Sequence, residues 1–546
     1  MKISKNIRNN LRFLIAEVGS QVSNLQTYLA TPSKSVARRI LDRSGYAYNL
    51  MLRIHDNCHN QVIQANESGT DAAALRAIES TATDLERITG LCRESIQQLD
   101  QLQNRRCPGA GSCKVMLGKI ASGLDRIELA ICRNDTALAL KIGRIKPCMD
   151  KASQKLVKKY TAGLKRRKHT EDLVAGLFLV HGIEQMGDAM LNISAAVISA
   201  NMGQPINIDR YHSMRASIDQ LDTAHDASEL VAKPIAETRS GSGISGISAT
   251  GQEQAGYVAI YKDGKKRKLR EERRGLVSWQ EIYPGLAPRI LSYHKRGQSA
   301  SLLIEHLAGL TFEQILLHEP TRLLRETQQQ LQRTLAKVWR ETRTRKPVCA
   351  AYMRQLSRRL EAVYTIHPEF RQGDSRICGK SAASFGALLK QAHRLENGIR
   401  APFSVYIHGD FNVDNIIYDP LEKKINFIDL HRSRYMDYVQ DVSVFMVSNY
   451  RLQIFDAPLR RRIMMLTQEF YSFAAAFAKK SGDKTFELRL ALGLARSFAS
   501  STRFILDKSL ARAMFLRARY LLEQLLAVDL KDPTSFRVPV KEIFIG

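Results

Sequence analysis

The chain has 546 residues, and its 82 Lys and Arg against 54 Asp and Glu give a formal net charge of +28. This length exceeds one ordinary hydrophobic core and predicts two or three domains, while 44% apolar residues is a globular content. The charge favours polyanions, acidic membrane surfaces or phosphorylated ligands. With aromatics at 7%, no zinc-finger spacing and no aromatic-basic signature, a nucleic-acid partner is not expected.

The N-terminus is basic like that of a signal peptide, but Arg12 and Glu17 break the apolar run that follows. No stretch approaches the roughly 20 apolar residues of a membrane span. Eight cysteines without paired metal spacing point to free thiols in a reducing compartment, so the expected location is cytoplasmic. Cys107 and Cys113 flank a Pro-Gly-Ala-Gly-Ser loop, which suits a reduced loop, a bridge or a metal clip.

Residues 6–200 show helical periodicity, few prolines and no strand alternation. Leu179, Ile183, Met186, Met190, Ile193 and Val197 recur in steps of four and three, the seam of a helix packed against neighbours. Leu85, Ile88, Cys92 and Leu99 repeat the pattern upstream, so this half reads as two copies of one unit. Glu184 and Asp188 lie one turn apart with His181 on the same side. That face suits either a metal or local salt bridges on a solvated surface, and Gly90 in the first copy, where an acid would be needed, speaks against a symmetric metal site. The segments 84–90 and 182–188 resemble the paired helices of PhoU-like proteins. The resemblance implies a two-repeat helical bundle of phosphate signalling that docks on a protein partner.

Residues 1–204 are read as this bundle and 205–239 as a connecting segment with a short helix at 209–222. The basic run 165–169 falls at a helix end or loop. Next come the Ser/Gly run SGSGISG at 240–246 and a β-rich run at 257–262 ending at an Asp263-Gly264 turn. A helical stretch at 268–279 follows, and then a strand at 301–309 that emerges into a polar bend. The run 240–246 is either a flexible linker or a loop whose backbone N–H groups approach a polyphosphate.

Helical patterns then cover 311–317, 320–341, 352–364 and 384–395, and later 459–480, 486–506 and 509–528. Between the two groups lies 406–441, YIHGDFNVDNIIYDPLEKKINFIDLHRSRYMDYVQD. Two short β-rich runs, at 416–418 and 425–428, are joined by a turn at Asp419-Pro420. The hairpin sets Asp410 and Asn415 before its first strand and Asp429 after its second.

The spacing HGD-x4-N followed by IDL resembles the catalytic loop of the aminoglycoside phosphotransferase and choline kinase family. The resemblance implies a two-lobed, α+β protein-kinase-like domain with a nucleotide lobe at 240–310 and a catalytic lobe at 311–546. It implies Asp410 as catalytic base, Asn415 and Asp429 as Mg²⁺ ligands, and ATP as donor to a small-molecule hydroxyl. Ser242 and Gly243 would line the phosphate loop. Lys262 would meet the nucleotide phosphates and Glu272 would orient it, with Lys265, Lys266, Lys268 and Glu271 as neighbouring alternatives. Backbone groups at Glu305 and Leu307 would meet adenine. Asp441 stands where the family often has a buried carboxylate bracing the catalytic loop. The expected protein is thus multidomain, an all-α PhoU-like bundle followed by a kinase-like phosphotransferase, without a transmembrane segment. The alternatives are a non-catalytic, nucleotide-sensing adaptor in phosphate signalling and a polyanion-binding protein.

Overall fold

The computed structural model describes residues 4–528 and 535–545, apart from 44, 65–68, 101, 103–108, 167–168, most of 203–229, 238–242 and 250–256. The chain divides into two compact units, Met1–Tyr261 and Lys262–Gly546. Among the described residues no helix is long and apolar enough to cross a membrane.

The first unit is built from helices α1 (Lys5–Ala30), α2 (Lys34–Leu41), α3 (Tyr46–Gln64), α4 (Gly69–Asp100), α5 (Ala110–Cys132), α6 (Thr136–Gly143), α7 (Ile145–Leu164) and α8 (Thr170–Met202). Side-chain caps start several of them: Ser4, Ser33 and Asp135 accept the N–H groups of Ile7, Val36 and Leu138, satisfying first-turn donors that have no partner within the helix. The two predicted seams pack against each other, because α4 and α8 are neighbours along their length. Leu85, Ile88, Cys92, Ile183, Met186, Met190 and Ile193 are all fully buried. Asn192 of α8 donates to Asp84 of α4 at 3.3 Å, so the internal repeat becomes an interface. Burial pushes the Cys92 thiol up to about 12, an inert core position.

The face carrying Glu184 and Asp188 takes the salt-bridge form. Lys146 Nζ lies 2.9 Å from Asp188 and 3.5 Å from Asp150, Ser153 donates to Glu184, and a lysine at the centre of such a cluster opposes a second cation. Cys113 is buried on α5, and Cys107 lies outside the described residues. So does most of the expected helix at 209–222.

Strands β1 (Leu230–Glu237) and β2 (Gly243–Ala249) form an antiparallel pair in this unit. The glycine run therefore enters a strand at Gly243 instead of remaining a loop to Gly246. A Cβ at Gly246 would stand 2.2 Å from the Tyr257 ring, so this glycine makes room for an aromatic face. Strand β3 (Ala259–Lys265) carries the chain into the second unit. It runs through Asp263-Gly264, where a turn was expected, because backbone pairing continues past them: the Lys266 N–H still donates to the Gln298 carbonyl at 2.9 Å.

That helix is α9 (Lys266–Ile282), followed by the antiparallel pair β4 (Ile290–Arg296) and β5 (Ser299–Glu305). Then come β6 (Leu310–Thr311), α10 (Phe312–His318), α11 (Thr321–Glu341), α12 (Tyr352–Ile366), the hairpin β7 (Ser375–Ile377) and β8 (Lys380–Ala382), and α13 (Phe385–Asn397). Strand β9 (Val405–Ile407) leads to the predicted hairpin, β10 (Ile416–Asp419) and β11 (Lys424–Phe427), in register Ile416 to Phe427 through Asp419 to Lys424. β10 also pairs with β6, and β12 (Arg434–Met436) pairs with β9. Helices α14 (Val439–Tyr450), α15 (Ala457–Lys480), α16 (Phe486–Ser501), α17 (Lys508–Leu526) and α18 (Val540–Ile543) complete the unit.

All of α14 and nearly all of α16 are buried, and the two helices pack together at the centre of the helical lobe. Arg489 of α16 is fixed there between Asp437 and Asp483, and Tyr438 donates to Asp483 at 2.7 Å. Burial works against this guanidinium's charge, but the two carboxylates outweigh it and hold the group firmly ionised.

Candidate active site

The residues of the site all belong to the second unit. Its floor is the loop between β9 and β10. Asp441, on α14, accepts the backbone N–H groups of His408 and Gly409, each at 2.8 Å, and Gln440 Nε2 donates to the Gly409 carbonyl at 3.0 Å. This is the bracing role expected of Asp441. His408 Nε2 meets the Ile428 carbonyl at 2.9 Å, and its Nδ1 takes the Asp410 N–H at 3.3 Å. Those two bonds assign the neutral tautomer with the proton on Nε2. Burial agrees, pushing the imidazole down to about 4 despite Asp410 and Asp429 nearby. Gly409 has φ +84°, and a Cβ there would lie 2.4 Å from the Arg432 carbonyl oxygen, so both conformation and space call for glycine.

Asp410, Asn415 and Asp429 converge because the hairpin folds back. Asn415 ends a single 3-10 turn, Val413–Asn415; its Nδ2 donates to the Asp410 carbonyl at 2.9 Å, and its own carbonyl accepts the Ile428 N–H at 3.0 Å. Asp429 follows immediately and sits in the left-handed region at φ +58°, which short polar side chains tolerate at a cost. Burial would raise its carboxyl. The hydrogen bond from His431 Nδ1 at 3.0 Å and the charges of Lys262 and Lys268 outweigh that and hold it well below the usual range.

Lys262, buried at the start of the unit, is within 2.5 Å of Glu272 on α9. Burial opposes its charge, but Glu272 and Asp429 keep it protonated. Of the neighbouring alternatives, Lys266 turns instead to the Gly297 carbonyl and Glu271 faces Arg267. The docking of α9 sets this pair. A Cβ on Gly275 would meet the Leu430 carbonyl oxygen at 2.0 Å, so the helix lies directly on the backbone after Asp429. Trp279 Nε1 donates to Ser433 Oγ at 2.8 Å, and that hydroxyl donates to the His408 carbonyl at 3.2 Å.

The structure thus brings together Lys262, Glu272, Asp410, Asn415 and Asp429. Glu305, at the end of β5, turns its carboxylate to Arg289, 3.2 Å away, and Leu307 stands two residues beyond the strand. Gly243 belongs to the first unit and Ser242 lies outside the described residues. Sequence reasoning passed over His431 and Arg432, although they stand only two and three residues after Asp429. Arg432 Nε donates to His431 Nε2 at 3.0 Å and Nη1 to Asp410 Oδ1 at 3.1 Å, so one guanidinium links Asp410 to the histidine that holds Asp429.

Residues 257–473 match the phosphotransferase enzyme family. The phosphotransferase-like half is therefore an α+β, kinase-like domain, and the half before it is helical. Solved structures similar to parts of the chain include PhoU from Pseudomonas aeruginosa, at 18% identity over 37% of this chain and 97% of that one, with a TM-score of 0.35. An aminoglycoside-3'-phosphotransferase of type VIII is similar at 18% identity over 49% of this chain and 99% of that one, TM-score 0.31. An ethanolamine kinase from Plasmodium vivax is similar at 11% identity over 61% and 93%, TM-score 0.34. No curated protein matches the sequence.

Proposed function

We propose that the chain is an ATP- and Mg²⁺-dependent phosphotransferase acting on a hydroxyl of a small molecule, with the helical unit as a regulatory or docking domain. The observation that carries this reading is the convergence of Asp410, Asn415 and Asp429 on one braced loop, with Lys262 charged beside Asp429. Asp410 accepts or orients the proton of the attacking hydroxyl. Lys262, held by Glu272, neutralises phosphate oxygens of the nucleotide.

The donors suit a hard cation. Asp429 is ionised, and Asn415 commits its Nδ2 to Asp410, leaving Oδ1 as an acceptor. Bound there, Mg²⁺ would supply charge to the transferring phosphates. The chain's own part is to hold Asp429 ionised through His431 and to fix Asn415 through the Ile428 and Asp410 backbone.

The test separates binding from chemistry. A set of hydroxyl compounds is screened for ATP-dependent phosphorylation by the full chain, and Mg·ATP is titrated calorimetrically into Asp410→Asn and Asp429→Ala. Asp410→Asn is expected to keep its nucleotide affinity and lose turnover by a factor of about 10² or more. Asp429→Ala is expected to lose both. If Asp410→Asn loses nucleotide binding as badly as Asp429→Ala, the two roles are wrong.

A further inference from the structure

Beside Asp410 a pocket of about 280 Å³ opens between α12, the loop after Asp429 and α16, lined by Arg359, Arg432, Arg434, Arg496 and Gln355 among others. Arg503, in the short turn after α16, stands near enough to act on Arg359. Five guanidinium groups therefore crowd one side of the candidate base. One carboxylate answers them fully: Asp410, paired with Arg432 and facing Arg359, Arg496 and Arg503; Asp441, beneath the loop near Arg496, is raised by burial to about 7 and offers less charge.

The cluster is poorly satisfied from within. The Nε groups of Arg496 and Arg503 are buried without a hydrogen-bond partner. Arg496 reaches Ser443 only at 3.4 Å and otherwise lies over the Tyr352 ring. Burial pushes the Arg359 guanidinium down to about 9, with Arg496, Arg432 and Arg503 adding to the effect. Unpaired buried donors and clustered like charges both cost stability, and one anionic ligand would relieve both, because guanidinium forks match the oxygens of phosphate and carboxylate.

We propose that this pocket receives the phosphate acceptor and that the acceptor is itself an anion, a hydroxyl compound bearing a phosphate or carboxylate group. The proposal rests on the phosphotransferase reading of Asp410. A cationic amine acceptor would enter against this cluster of positive charge, whereas an anion is drawn in and anchored with its hydroxyl toward Asp410. The volume, just below the range of about 300–1,000 Å³ usual for ligand pockets, suits a compact acceptor.

The experiment uses the full chain and two probes, inorganic phosphate and acetate, titrated at constant ionic strength with a non-hydrolysable Mg·ATP analogue at saturation so that nucleotide phosphate positions are filled. One probe is expected to bind, and which one does distinguishes the two anion types. Its affinity is expected to fall by about tenfold or more in Arg359→Gln and in Arg503→Gln, the loss of a charge-assisted hydrogen bond. The analogue should bind both variants as it binds the parent. Melting curves establish that both fold.

If neither probe binds while the analogue does, or if both variants bind the probe as the parent does, the anionic acceptor is wrong and the phosphotransferase reading stands. If the variants lose the analogue together with the probe, the arginines serve the nucleotide and the acceptor assignment falls. If the parent binds a probe but no analogue, the phosphotransferase reading fails and takes the acceptor role with it.

Discussion

Arg432 Nη1 lies 3.1 Å from Asp410 Oδ1, so the candidate base is held by a cation before any substrate arrives. The same guanidinium takes His431, which in turn holds Asp429. Arg432 is half-exposed, and its removal should change stability by no more than about 0.5 kcal/mol. Arg432→Gln is expected to melt like the parent and to turn over about tenfold or more slowly, because Asp410 loses the contact that orients it. A variant with parental turnover would show that this pair has no part in positioning.

The Lys262–Glu272 pair is buried on both sides, so breaking it from one side leaves an uncompensated charge. Lys262→Met is expected to lose about 3–5 kcal/mol of stability in urea unfolding. Adding Glu272→Gln should recover a large part of that loss, since the second change removes the stranded carboxylate. Losses that simply add would show that the two groups act independently.

Burial raises the Asp441 carboxyl from its ordinary 3.8 to about 7, even though two backbone N–H groups pull the other way. Between those values the folded chain holds a proton that the unfolded chain has released. The stability this gives is complete below pH 3.8 and is lost as pH rises through about 7. Asp441→Asn carries no such proton. The stability of the parent relative to this variant should therefore shrink steadily from about pH 4 to about pH 7, measured by urea unfolding across that range. A difference that stays level with pH would place the carboxyl near its ordinary value.

Gly409→Ala puts a methyl group 2.4 Å from the Arg432 carbonyl at a φ of +84°. It is expected to cost about 2 kcal/mol or more. Gly386, on α13 with nothing within 4 Å of a built Cβ, is the matching control, and alanine there should stabilise by about 0.4–1 kcal/mol. Equal melting of the two variants would contradict the crowding at Gly409.

The predicted helices of the second half lie within a few residues of α10–α13 and α15–α17, because amphipathic faces write their period into the sequence. The hairpin was legible for the complementary reason: two short β-rich runs flank an Asp-Pro turn. Helix α14 left no trace in the reading, since a helix buried on every side has no polar face to mark its period. Strand β1 fell in the segment read as a connection. The arginine pocket was hidden differently. Arg359, Arg432, Arg496 and Arg503 come from separate elements, and only the packing of α12 and α16 around the loop gathers them. Asp410, Asn415 and Asp429, in contrast, lie within one short stretch, so the hairpin alone was enough to bring them together.

The contact of Gly275 with the Leu430 backbone has a consequence for how such a protein can be controlled. A helix separated from its neighbour by side chains has room to roll, and rolling would swing Glu272 away from Lys262. Here the helix axis has no cushion on that side, and Trp279 ties the next turn to Ser433. Switching the pair off by rotation would tear open a backbone contact and expose a buried indole. On the phosphotransferase reading, the ion pair is set by the fold of the unit itself, and rolling of this helix is closed as a way to switch it.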